Sequence, residues 1–466
     1  MGRQLERLVM AHHGRRLRRL GHREMLRAAG GWAAAEPSPR QGNRLDVLVD
    51  GAEALAEVAA AIESAHSSIW LAGWFFSPDF RPRADRAQTL RELLAEAAER
   101  VDVRILAWAG APLPLFRPDR KEVRAVRDAF TARTRIEVAL DARERPFHCH
   151  HEKLVIVDGE LAFVGGIDLT SYDGDRFDTN EHPPRGSLGW HDATTRIRGP
   201  AVADVADHFR LRWHEVTREE LPAVAPPEPA GEVEVQVVRT VPEKIYKRLP
   251  RGDFTILESY LRAFRSAKRL IYLENQFLWS PEIVSVLAAK LRNPPDDRFR
   301  LLVLLPAKPK NGNDDTRGQV GMLAAADDGE GRFLACTLHQ CGSDAHPVYV
   351  HAKIGIVDDA WLTIGSANLN EHSLFNDTEM NIVTHDVTFA KATRLRLWSE
   401  HLDRPAPELD RDPAEIIDEV CGPLANEQLE RRREGRPRTH RLLLLPHVSR
   451  RAEALRGPVN GLLVDG

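Results

Sequence analysis

The sequence predicts an α/β protein made of two similar halves, each a mixed β-sheet flanked by helices. Three observations lead there. Short apolar runs of strand length alternate with segments of helical periodicity. An eight-residue frame, His-x-Lys-x4-Asp, occurs at His151, Lys153 and Asp158 and again at His351, Lys353 and Asp358, 351 − 151 = 200 residues later. The surrounding sequence repeats at nearly the same offset, Ala61–Leu71 paralleling Ala263–Leu273 (263 − 61 = 202) and Ser77-Pro78-Asp79 paralleling Ser280-Pro281-Glu282. A whole domain is therefore duplicated, not a motif alone.

Taken in order, residues 1–42 read as a basic arm and linker, with Arg15, Arg16, Arg18 and Arg19 around Leu17 and a stretch ending in Pro37-Ser38-Pro39. Two readings stand: a solvated helix or tail, or a basic amphipathic helix resting on anionic lipid. The first half, 43–220, is expected to run through strand Leu45–Val49, helix Ala52–His66 and strand Ile69–Phe76. Helix Leu90–Arg100, strand Val103–Trp108, helix Lys121–Arg133 and strand Ile136–Leu140 follow. The His151 frame then forms a hairpin, succeeded by a polar loop at Asp168–His191, a strand at Asp192–Arg198 and a helix from Pro200 to about Glu215. Residues 221–235, rich in proline, read as a linker. The second half, 236–403, repeats the scheme: helix Glu282–Arg292, strand Arg300–Leu305, a loop at Pro309–Gly318, strand Phe333–Leu338, the His351 hairpin and helix Phe389–His401. Residues 404–466 are expected to be a tail packing partly on the body.

Composition sets bounds. A 466-residue chain with 42% hydrophobic content buries a large core, and a net charge of −4 argues against nucleic-acid binding through a basic surface. Four cysteines, Cys149, Cys336, Cys341 and Cys421, form no CxxC pair, so neither a disulfide framework nor a structural zinc site is expected. No apolar run reaches membrane-spanning length, and no secretory signal is visible, which fits a cytoplasmic protein, peripheral on a membrane at most.

Alternation puts each His and its Lys on one face of a strand. A single His-x-Lys would be ordinary; two copies in the same frame, each followed by a strand and glycine, point to paired halves of an active site. If the hairpins meet, the pocket holds two imidazoles, Lys153, Lys353, the Ser366 hydroxyl and the Asn368 amide. That set suits a phosphodiester. Cations and donors neutralise the non-bridging oxygens while one His attacks phosphorus and the other protonates the leaving oxygen, with no metal or cofactor required. Asp192 and Glu379 are the candidates for orienting the imidazoles. The run His148-Cys149-His150-His151 is not read as a metal site, because neighbouring strand residues face opposite ways. Trp74, Phe75, Phe76, Phe277, Leu278 and Trp279 are read either as core or as cleft lining. Lys308, Lys310 and Arg317 are placed in a solvated loop, with an overhang above the site as the second reading.

These residues resemble the phospholipase D superfamily, whose signature is two His-x-Lys-x4-Asp copies, with Gly-Ser-x-Asn after the better-preserved one, here Gly365-Ser366-Ala367-Asn368. Gly165-Gly166-Ile167-Asp168-Leu169, Arg176-Phe177-Asp178-Thr179 and Ile271–Phe277 are similar to the plant-type and related bacterial branch. The resemblance covers roughly 44–402. It implies a duplicated α/β sandwich with the active site at the interface of the halves. His151 would form a phosphohistidine and His351 would serve as acid, then as base toward water or an alcohol. Asp158 and Asp358, grouped with the catalytic His and Lys in the signature, are expected to shape their hairpins more than to touch substrate. The implied partners are a phospholipid at a membrane surface and a water or alcohol acceptor, with no nucleic acid, for a monomeric chain. A cardiolipin synthase-like transferase, a nuclease-type phosphodiesterase and a silent scaffold are the alternatives. Only about forty residues precede the first half, so N-terminal lipid- or calcium-binding modules and calcium dependence are not implied.

Overall fold

Apolar residues on alternate sides of short β-branched segments, bounded by glycine and aspartate turns, form the strands that carry the site. The computed structural model describes residues 2–113, 116–172, 176–183, 188–308, 313–343 and 345–445. In the first half these strands are β1 (Arg40–Val49), β2 (Ser68–Gly73), β3 (Asp102–Trp108), β4 (Glu137–Asp141), β5 (Leu154–Val157), β6 (Leu161–Gly165), β7 (Trp190–His191) and β8 (Ala193–Arg198). In the second they are β9 (Val233–Val241), β10 (Asp253–Phe254), β11 (Leu270–Asn275), β12 (Arg300–Leu304), β13 (Phe333–His339), β14 (Pro347–Val350), β15 (Lys353–Val357), β16 (Trp361–Gly365), β17 (Glu379–Thr384) and β18 (Leu442–Leu444).

The two sheets share one topology. The first runs β4-β3-β2-β5-β6-β8-β1, with β2, β3 and β4 parallel and the rest antiparallel. The second runs β13-β12-β11-β15-β16-β17-β9, with the same parallel trio and antiparallel remainder. Strands β1 and β9 also pair, at Arg40 with Val235 and Asn43 with Val233, which joins the sheets edge to edge. One core lies between the halves and draws Ile156, Val164 and Ile197 together with Ile354, Ile364 and Ile382, covered by helices Val202–Thr217 and Val387–Leu402. The opposite faces are covered by Asp50–Ser64 and Leu90–Ala98 in the first half, and by Thr255–Ser266, Pro281–Arg292 and Asn313–Asp327 in the second.

Three segments differ from the sequence reading. The arm forms a helix, Gly2–Leu20, that docks on the second half: Leu17 and Leu20 are buried, and Arg16 makes two bonds to Glu243 from Nε and one of 2.7 Å from Nη2. Its exposed face keeps Arg15, Arg18 and Arg19. Strand β1 begins at Arg40, inside the expected linker. Where a loop was expected at Pro309–Gly318, a helix runs Asn313–Asp327, because Val320, Leu323 and Ala326 recur every third residue and are buried. Arg317 belongs to that helix and Lys310 lies outside the described residues. The tail segment β18 extends the second sheet against β13. No helix among the described residues is long and apolar enough to cross a membrane.

Candidate active site

Each motif histidine sits just ahead of a central strand, His151 before β5 and His351 before β15. Both are tied down by backbone from the other half. His151 and Glu152 donate their N–H groups to Thr378 O at 2.9 and 3.2 Å, and His351 and Ala352 donate to His191 O at 2.8 and 3.1 Å. The residue after each of those carbonyls is an acid that meets the histidine ring. His151 Nδ1 lies 3.0 Å from Glu379 Oε1, and His351 Nδ1 lies 2.6 Å from Asp192 Oδ2. The pairing is crossed: the second half supplies the acid for the first histidine and the first half supplies it for the second. Each imidazole thus has its Nδ1 against a carboxylate.

The lysines flank the imidazoles. Lys153 Nζ donates to His151 O at 2.8 Å and stands 3.4 Å from Asp168 Oδ1. Lys353 Nζ donates to His351 O and to Gln276 Oε1, the latter at 3.2 Å, and Asn368 Nδ2 donates to the same Gln276 oxygen at 3.2 Å. Asn368 Oδ1 is buried with no hydrogen-bond partner among the described residues. Ser366 donates to Glu379 Oε2, with Met380 O at 3.3 Å, and Ser373 donates to Glu379 Oε1 at 2.5 Å. Trp190 lies between Arg176 and His351, its ring 3.5 Å from the guanidinium and 4.2 Å from the imidazole centroid.

Burial dominates the electrostatics. It pushes Glu379 up to about 8 against the pull of Lys153, and Asp192 up to about 6 against Lys353. It brings Lys353 down to about 7, with Lys153 adding to the effect. Burial lowers His351 well below its usual value, and the positive charges of Lys353, Arg176, Lys153 and His151 lower it further. A pocket this crowded with cations favours a bound anion, and a phosphate would offset that charge.

The glycine of the first copy has a physical reason. A Cβ on Gly166 would stand 2.1 Å from Asp192 Oδ1, so the Asp192 carboxylate occupies the space that a serine there would need.

The motif aspartates belong elsewhere. Asp158 Oδ1 accepts the N–H groups of Ser67 and Ser68 at 2.7 and 3.0 Å, and Asp358 accepts those of Lys268, Arg269 and Leu270 at 2.7 to 2.8 Å. Their φ values, 58° and 54°, mark tight turns at the far ends of β5 and β15. Grouped with the catalytic residues in the signature but expected to shape the hairpins, they bond backbone donors away from the imidazoles. The His148 to His151 run diverges: His148 meets His372 and Asp377, His150 meets Thr378 and Asp141, and His151 meets Glu379. Trp74, Phe75, Phe76, Phe277, Leu278 and Trp279 are all buried.

Sequence reasoning did not assign Gln276, Asp168, Trp190 or Ser373 to the site. Asp168 stands at 368 − 200, the counterpart of Asn368, a signal the repeat already held. Ser373 had no such signal, since nothing in the first half marks its position.

Residues 260–399 match the family model described as "Cardiolipin synthase, PLD-like domain". The comparisons support the phospholipase D superfamily. The chain is 25% identical over 80% of its length to phospholipase D A of Dictyostelium discoideum, 24% over 76% to phospholipase D alpha 4 of Arabidopsis thaliana, and 26% over 78% to the major cardiolipin synthase ClsA of Bacillus subtilis. It spans 36%, 64% and 72% of those proteins. A phosphatidylserine synthase from Haemophilus influenzae Rd KW20 has the same fold, with a TM-score of 0.52 and 12% identity over 84% of this chain and 93% of that one. Superfamily names thus cover both hydrolases and transferases among the relatives.

Proposed function

We propose that the chain is a phospholipase D-type phosphodiesterase that cleaves or exchanges glycerophospholipid head groups through a phosphohistidine. The observation that carries this is the crossed pairing, Glu379 on His151 and Asp192 on His351, which holds two imidazoles at the seam between Lys153 and Lys353. In the proposed cycle, His151 Nε2 attacks phosphorus and the head-group alcohol leaves with a proton from His351 Nε2. Burial and the neighbouring cations lower His351 without substrate, and the anionic phosphodiester raises it, favouring the protonated form that donates. The same His351 then takes a proton from water, yielding phosphatidic acid, or from an alcohol, yielding a new phosphodiester. Lys153, Lys353 and Asn368 Nδ2 hold the non-bridging oxygens, where negative charge is greatest in the transition state. Hydrolases of the plant type carry the Gly-Gly-Ile-Asp-Leu pattern seen from Gly165, which favours that branch.

A second reading keeps the chemistry and changes the acceptor: a phosphatidyl transferase using a glycerol lipid, favoured by the family model over 260–399 and the ClsA relative. The pure protein is incubated with phosphatidylcholine, phosphatidylglycerol or single-stranded DNA, with and without ethanol. Phosphatidylethanol is expected. Cardiolipin as the main product would support the transferase, and cut DNA with intact lipid would overturn both. His151→Ala and His351→Ala are each expected to lower turnover at least about 10³-fold, and retention of most activity by either would end the two-histidine mechanism.

A further inference from the structure

Next to Asp192, whose N–H bonds to Asp50 Oδ1, lies a group of buried side chains that the mechanism does not use. Asp50, His182 and His191 come from the first half, and Glu400 comes from helix Val387–Leu402 of the second. We propose that these four residues bind one divalent metal ion, zinc by their donor set, which fastens the two halves together beside the active site.

The donor spacing is near that of a tetrahedron. Metal–ligand distances of about 2.0–2.1 Å place neighbouring donors about 3.3 Å apart. His191 Nδ1 is 3.0 Å from Asp50 Oδ1 and 3.4 Å from Glu400 Oε1, while His182 Nε2 is 3.0 Å from Glu400 Oε1 and 3.9 Å from Asp50 Oδ2. All four ligand atoms lie within 4.8 Å of one another.

Two donors are aimed inward with nothing to bind. Asp50 Oδ2 and His191 Nδ1 have no hydrogen-bond partner among the described residues, though both side chains are fully buried. The 3.0 Å approach of His191 to Asp50 Oδ1 is therefore off the hydrogen-bond axis, and that oxygen is already taken by Asp192 N at 3.0 Å. Asp50 Oδ2 and His191 Nδ1, buried without a partner, are arranged for a shared centre, and beside them His182 Nε2 and Glu400 Oε1 share a 3.0 Å hydrogen bond that a metal ion would replace.

The outer sphere is also built. His191 Nε2 bonds to Glu274 Oε2 at 2.8 Å, and Glu274 Oε1 receives His401 Nε2 at 2.9 Å. His182 Nδ1 lies 3.1 Å from Asp178 Oδ2. His191 thus has a carboxylate bonded behind its far nitrogen, the arrangement that fixes ring orientation at metal centres. The charge agrees. Asp50, Glu400 and Glu274 stand against the two imidazoles, and a dication offsets their charge. A donor set of nitrogens and carboxylates in fourfold coordination selects zinc over calcium or magnesium, which take six or more oxygens.

Elemental analysis of the purified chain, grown with trace zinc, is expected to give one zinc per chain. Removal with dipicolinate should lower Tm, Zn²⁺ should restore it, and reconstitution with Co²⁺ should produce the visible d–d bands of tetrahedral cobalt. His182→Gln and Glu400→Gln are expected to weaken Zn²⁺ binding more than about 100-fold, since even outer-sphere changes cost 10–100-fold. His148→Ala, in the separate His148, His372 and Asp377 cluster, should leave the stoichiometry unchanged. A folded wild-type chain that neither contains zinc nor is stabilised by Zn²⁺ would overturn the proposal. So would zinc that survives both ligand substitutions or is lost with His148→Ala.

Discussion

Gly166→Ala tests the geometry of the site with one methyl group. The new Cβ would meet Asp192 Oδ1 at 2.1 Å, Cγ at 2.9 Å and Oδ2 at 3.0 Å. Ordinary contact needs upward of 3 Å, so the carboxylate must retreat by about 1 Å. It now receives His351 Nδ1 at 2.6 Å. A retreat of that size stretches the bond to about 3.6 Å, past hydrogen-bond range, and frees the ring to turn. Loss of a charge-assisted hydrogen bond is worth about 1.5–3 kcal/mol, and a 1 Å misplacement in an active site costs about 10²-fold. Both routes give a fall in kcat of about 10²-fold. KM should change little, because the lysines and Asn368, proposed to hold the phosphate, are untouched. The assay is steady-state turnover of the phospholipid with far-ultraviolet circular dichroism as the folding control. Ser366→Ala is the companion: it removes a donor to Glu379 but leaves the His151 bond, so a smaller loss, about tenfold, is expected. If Gly166→Ala kept more than half of kcat while folded, the claim that Asp192 is confined by that glycine and orients His351 would fail.

Two further outcomes follow from the same contacts. Asp358→Asn should lower stability by about 1–3 kcal/mol, through the weakened bonds from Lys268, Arg269 and Leu270, while kcat stays within about threefold; a tenfold fall in kcat in folded protein would put Asp358 in the chemistry. Glu379→Gln should change how stability responds to pH: with the native carboxyl raised from 4.5 to about 8, the wild type loses stability as pH climbs from about 5 through 8, because the unfolded chain releases that proton first. The difference in Tm between variant and wild type should therefore grow in the variant's favour from pH 6 to pH 9, and a difference that is flat or shrinks would show that Glu379 is ionised in the fold.

Much of this protein was written locally. The spacing of His, Lys and Asp in two frames 200 residues apart, with apolar alternation on either side, determined the hairpins, the duplication and the residue types available for phosphodiester chemistry, because those follow from side-chain direction along a strand. Even the two orienting acids could be picked out by their nearness to the motifs. Their assignment could not. Glu379 and His151 are 228 residues apart, and Asp192 and His351 are 159 apart; only the docking of the two sheets decided that each acid serves the other half's histidine. The reason Gly166 replaces serine, the docking of the N-terminal helix through Arg16 and Glu243, and the gathering of Asp50, His182, His191 and Glu400 have the same origin. Each depends on which buried polar groups meet when two surfaces close over them, and in a low-dielectric interior those groups must find partners that sequence spacing does not name.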